Sequence, residues 1–137
     1  HNNSNGALDA HNGFYAAARA HGTGIEETSG FKADGAGQNL IKNISGNDGL
    51  SYRGTINASG SQTELYNVKG NMTVGGTITT TGDGKVVILN KGDGMTVNGT
   101  ISSAKDVKVV NKGSEKANVN NAKVTTPSTK WFYEKLK

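Results

Sequence analysis

Met72-Thr73-Val74-Gly75-Gly76-Thr77-Ile78 is followed, 23 residues on, by Met95-Thr96-Val97-Asn98-Gly99-Thr100-Ile101, and preceded, 22 residues back, by Leu50-Ser51-Tyr52-Arg53-Gly54-Thr55-Ile56. Each copy alternates apolar and polar residues, turns at glycine, and resumes with a Thr-Ile pair. That is the pattern of two short strands joined by a tight corner. A further strand-like run stands before each copy or after the last: Leu40-Ile41, Leu65-Tyr66, Val86 to Leu89 and Val107 to Val110. A degraded copy follows at Ala117-Asn118-Val119-Asn120-Asn121. Fixed periods of this length mean stacked supersecondary units. A unit with two or three short strands and no helix fits one coil of a parallel β-helix. The chain is therefore expected to be all-β, a single-stranded parallel β-helix (β-solenoid) of about four coils of ~22 residues. The repeats occupy 37–126, between an irregular or partly helical N-terminal arm at 1–36 and an aromatic C-terminal tail at 127–137. Leu50, Tyr52 and Ile56, Met72, Val74 and Ile78, and Met95, Val97 and Ile101 should form stacked inward rows.

Composition agrees. In 137 residues only 33% are hydrophobic and 6% aromatic, while glycine alone numbers 20. A compact globule needs a larger apolar share, whereas a solenoid needs only a thin column of inward side chains and takes much of its stability from backbone pairing between coils. There is no cysteine, so disulfides and thiolate metal sites are excluded. The net charge of +4 is uneven: residues 105–137 carry eight lysines against Asp106, Glu115 and Glu134. No aromatic–arginine interleaving accompanies them, so they read as a solvated surface and no nucleic-acid partner is expected. The first residue is His1 rather than Met, as expected of a processed product or a fragment. No signal peptide or apolar run of membrane-spanning length is read, and the chain is expected to be soluble and not membrane-inserted.

An asparagine closes the strand before each corner, with a glycine close behind: Asn43 and Gly46, Asn67 and Gly70, Asn90 and Gly92, Asn111 and Gly113. Stacked amides can bond from coil to coil, so Asn43, Asn67, Asn90 and Asn111 form a candidate ladder. Asparagine is also a common turn residue, and both readings stand at this point. In the arm, Ala7 to Ala20 suits a short helix broken at Gly13, with a strand as the alternative. A helix of that length needs Phe14, Tyr15 and Ile25 packed on something. The tail holds three of the eight aromatics in one triplet, Trp131-Phe132-Tyr133, which should dock on its own last coil or on a neighbouring molecule. Phe14, Tyr15, Trp131, Phe132 and Tyr133 are thus the candidate capping or assembly contacts. Open solenoid ends template further pairing, so end-to-end self-association into a filament is expected.

Chemistry of other kinds finds little footing. His1, His11 and His21 are ten residues apart, a spacing that suits no zinc motif. Gly82-Asp83-Gly84 and Gly92-Asp93-Gly94 lack the calcium-binding nonapeptide; Gly84-Lys85 lacks the rest of a phosphate loop. Glu26 and Glu27 are adjacent, so in a strand they face opposite ways, and Glu64, Asp83, Asp106 and Glu115 are scattered rather than clustered for acid–base work. Neither catalysis, a metal nor a cofactor is expected. Thr77, Thr79 and Thr81 suggest an ice-binding row, but with Ser103 aligned to Thr81 and Ser59 in the coil before, a regular threonine array is not sustained. Asn2, Asn43, Asn57, Asn71 and Asn98 open Asn-X-Ser/Thr triplets that chance explains in so Asn-rich a chain.

The stretch from Gln62 to Gly84, QTELYNVKGNMTVGGTITTTGDG, and that from Val86 to Gly113, VVILNKGDGMTVNGTISSAKDVKVVNKG, resemble the repeat arrays of filamentous-haemagglutinin-like exoproteins, large surface adhesins of Gram-negative bacteria exported by two-partner secretion. The likeness spans roughly Asn39 to Thr126. It implies a right-handed parallel β-helix, a place outside the cell or on its surface, and a host receptor or glycan as partner. The export-domain motifs of that family are not among these residues. The expected function is a non-enzymatic structural module of a surface or extracellular fibre. The alternatives are a small subunit that stacks end to end into a filament and, from a different class, a carbohydrate-active β-helix enzyme.

Overall fold

Alternation decides which side chains face inward, and glycine or asparagine decides where the chain turns. The computed structural model describes residues 7–18, 25–27, 30–43, 47–59, 62–127 and 131–134, with side chains over 40–43, 47–58 and 62–127. Every regular element described is a strand. β1 (Ala7–Ala18), β2 (Ile25–Glu27) and β3 (Gly30–Asn43) lead into three complete coils. These are β4 (Leu50–Tyr52), β5 (Thr55–Ser59) and β6 (Gln62–Asn67); β7 (Met72–Val74), β8 (Thr77–Thr81) and β9 (Val86–Asn90); and β10 (Met95–Val97), β11 (Thr100–Ser103) and β12 (Val107–Asn111). β13 (Ala117–Asn118), β14 (Lys123–Thr125) and β15 (Trp131–Glu134) add a last rung.

All pairings are parallel and each coil lies on the one before, giving a β-solenoid with three faces. The first face is the ladder β2-β4-β7-β10-β13. The second is β5-β8-β11-β14 and the third β6-β9-β12-β15, and both spring from β3. The first half of that long strand pairs with β5 and the second half with β6. Parallel strands need a crossover to reach their partner; here the crossover is the rest of the coil.

Repetition in sequence becomes repetition in register. Leu50, Met72, Met95 and Ala117 align, as do Ile56, Ile78, Ile101 and Val124, and Leu65, Ile88 and Val109. The rows expected from the sequence stand as written, and all nine of their side chains are buried. Each rung adds about 4.8 Å of height, and fully burying one such side chain contributes roughly 1.5–3 kcal/mol. The ladder does not break at the corners: Gly75 N–H donates to Tyr52 C=O at 2.8 Å, Thr77 N–H to Gly54 C=O at 2.9 Å and Lys91 N–H to Asn67 C=O at 2.7 Å.

The arm expected to be irregular or partly helical is corrected at Ala7–Ala18, which is strand β1, paired with β3 from Ala7 opposite Gly30 to Ala18 opposite Asn43 with one irregularity between His11 and Gly13. Alanine favours helix intrinsically, but an isolated helix of this length is marginal in water. Pairing along the β3 edge bonds its backbone within the stack instead.

One corner tolerates no side chain. Gly49 has φ +83° and Gly70 φ +77°, the left-handed region that costs other residues about 1–2 kcal/mol. A Cβ on Gly49 would also collide with the Asn71 carbonyl oxygen of the next coil. Gly49→Ala is therefore expected to lower stability by roughly 2 kcal/mol or more, read as a fall in the thermal midpoint. Lys69→Ala, at an exposed neighbouring position, should leave it in place.

Candidate functional site

The four corner asparagines stand in one column, and each is fully buried. Asn43 Nδ2 donates to Asn67 Oδ1 at 2.9 Å, Asn67 Nδ2 to Asn90 Oδ1 at 3.0 Å, and Asn90 Nδ2 to Asn111 Oδ1 at 3.0 Å. The same amides also build the turns. Asn67 Nδ2 donates to Gly70 C=O at 3.0 Å, Asn90 Nδ2 to Asp93 C=O at 3.0 Å and Asn111 Nδ2 to Glu115 C=O at 2.8 Å. Gly92 N–H and Gly113 N–H donate back to the Oδ1 of Asn90 and Asn111, each at 3.1 Å. Backbone carbonyls only accept and backbone N–H groups only donate, so these contacts orient every amide and make the ladder run one way. Ladder and turn are two uses of one side chain. On the N-terminal side the column ends, because Ala18 is the residue opposite Asn43.

A second buried polar column went unread in the sequence. Thr80 Oγ1 donates to Ser103 Oγ at 2.9 Å, and both hydroxyls contact Gly84 C=O, at 3.2 and 3.1 Å. Ser103 is in register with Thr80, not with Thr81 as expected, and it faces inward. The outward rows of the second face are then Thr55, Thr77 and Thr100, and beside them Asn57, Thr79, Ser102 and Thr125. The period-two pattern of Thr77 to Thr81 was the signal: three outward hydroxyls require that the residues between them point in.

The third face carries a different surface. Lys42, Tyr66 and Leu89 form one outward column, continued in register by Val110, which is buried, and Glu64, Val87 and Lys108 form the next. Tyr66 and Leu89 are half-buried. Lys42 Nζ lies 5.0 Å and Lys91 Nζ 5.8 Å from the centre of the Tyr66 ring, within cation–π range.

Of the candidate end contacts, Phe14 and Tyr15 lie on β1 opposite Asn39 and Leu40. Trp131, Phe132 and Tyr133 lie on β15 opposite Val107, Lys108 and Val109. The triplet thus extends its own chain's third face by one rung; the side chains of these five residues lie outside those described. His11 is on β1 opposite Asp34, while His1, His21 and Asn2 lie outside the described residues. Of the glycosylation triplets, Asn43 is sealed in the ladder, whereas Asn57, Asn71 and Asn98 are exposed. Lys105 Nζ pairs with Asp83 Oδ1 at 3.7 Å, an exposed contact of small energetic weight. Among the described residues no three of His, Cys, Asp or Glu are grouped so as to hold a metal ion, and no helix is long and apolar enough to cross a membrane. No protein-family model, no curated protein and no solved structure matches this chain.

Proposed function

We propose that the chain is a non-enzymatic structural module of a bacterial surface or extracellular fibre, a segment of a haemagglutinin-like adhesin secreted by or displayed on a Gram-negative-type cell. The observation that carries this reading is the in-register repetition of entire coils: core row, amide ladder and corner all recur with the period of the sequence. Such a stack transmits its own geometry from rung to rung. It makes a stiff spacer whose length is set by the number of coils. The resemblance of Gln62 to Gly113 to exoprotein repeat arrays supplies the adhesin and export parts of the proposal.

A second reading has one observation in its favour. β13, β14 and β15 stand last in their ladders, so among the described residues their outer edges have no further strand, and an edge of that kind accepts the end of another copy. Chromatography with negative-stain microscopy over a range of concentrations separates the two. Single short rods at every concentration are expected for the module, and filaments growing with concentration would replace it with the self-stacking subunit. Release of reducing ends from a panel of polysaccharides would overturn the non-enzymatic assignment.

A further inference from the structure

Tyr66 is flanked by an ammonium from the coil before it and one from the coil after it, both within 6 Å of its ring centre. Two like charges gathered on one ring make a local concentration of positive charge, and an anion placed against both is attracted by each. Lys91 and Lys112, each following a ladder asparagine, continue the positive edge to the next coil. Against them, the described part of this face has two carboxylate residues: Glu64, in contact with Gln62 Nε2 at 3.4 Å, and Glu134 on the last rung, opposite Val110 and three rungs from Tyr66. Beside the cations run the half-buried apolar surfaces of Tyr66 and Leu89, adjacent in register.

We propose that this face binds an acidic polysaccharide built of uronic acids, lying along the solenoid axis. The pairing of groups is what such a polymer requires. A pyranose ring has an apolar C–H side, which packs on Leu89 and the part of the Tyr66 side chain that the two ammoniums leave uncovered, and a uronate adds one carboxylate per residue, which the ammoniums of Lys42 and Lys91 receive. A neutral glycan brings no charge to the two cations. An extended acidic peptide alternates its side chains to both sides and offers no apolar disc to the tyrosine. The rungs repeat every ~4.8 Å, so charges on successive coils meet successive groups of a rigid polymer. The inference deepens the surface-module reading by giving the module a ligand.

The test is binding of the purified chain to polygalacturonate, with dextran and dextran sulfate as neutral and sulfated comparators, by calorimetry at two salt concentrations. The expected order is polygalacturonate above dextran sulfate, with none to dextran. Lys42→Gln with Lys91→Gln, or Tyr66→Ala, should each weaken binding about tenfold; Tyr66→Phe should retain it. Lys116→Gln with Lys123→Gln removes the same charge from exposed positions elsewhere and should change little. Circular dichroism of each variant establishes that the fold is intact. The proposal is overturned if the folded parent does not bind polygalacturonate, if dextran sulfate binds more tightly, or if the control pair weakens binding as much as the site pair. A folded monomer that fails to bind leaves the structural-module reading standing, whereas cleavage of polygalacturonate would remove that reading instead.

Discussion

Val97→Asp is expected to unfold the solenoid, and Thr96→Asp, one residue away on the same strand, is not. Val97 is 1% exposed and sits in register with Val74, with Val119 packed against the same core. A carboxylate there is buried among the apolar side chains of the core, and leaving a charge unpaired in such surroundings costs on the order of 5 kcal/mol or more. That is comparable to the whole stability of an ordinary domain. Thr96 is half-buried on the outer side of β10, between Thr73 and Asn118. Its replacement adds a solvated charge. The comparison reads the register directly, because a slip of one residue would exchange the two outcomes. Far-UV circular dichroism with a thermal melt checks it: a β spectrum and cooperative transition for Thr96→Asp, neither for Val97→Asp.

Asn90→Ala is expected to cost about 3 kcal/mol. The amide serves five partners: it donates to Asn111 Oδ1 and to the carbonyls of Asp93 and Gly94, and it accepts from Asn67 Nδ2 and Gly92 N–H. Truncation takes all five at once, and Gly92 N–H and Asp93 C=O have no other side-chain partner to turn to among those described. For a chain of this size the loss corresponds to a fall of about 10 °C in the melting midpoint. Asn90→Asp keeps the shape but puts an acceptor where a donor faced Asp93 C=O and Asn111 Oδ1, so it should be no milder than the alanine. A midpoint within the range of an exposed Lys112→Ala control would show that the column contributes no more than an ordinary turn.

The repeat was legible because core position, strand length and corner all vary together. Met72, Val74 and Ile78 can be laid on Met95, Val97 and Ile101 with no gap, and the ladder follows that alignment. Alignment failed where the coil absorbs its length differences. Ile78 and Ile101 are 23 residues apart, but Asn90 and Asn111 only 21, so the two missing residues fall between the second and third strands. A uniform step of 22 residues sets Ser103 against Thr81, whereas the second face steps by 23 here and sets it against Thr80. β1 was ambiguous for a different reason. Its alanines carry a local preference for helix, and the edge of β3 that overrides it is set by residues more than 20 positions away. Tyr66 with Lys42 and Lys91 was invisible in the sequence, since three residues from three coils meet only once the register is known.

The unbroken register also governs how such a chain can change over generations. Asn67 and Asn90 are 23 residues apart and equivalent, as are Met72 and Met95. Residues 71–93 are thus one whole period, and a gene that loses them joins Gly70 to Gly94, the residue that already occupies the equivalent place one coil on. Every later strand finds a partner of the kind it had before. Loss of a single residue inside β8 instead turns inward what faced out and breaks the columns at that rung. Duplication and deletion of entire coils are therefore milder heritable changes than the smallest frame-preserving deletion within one.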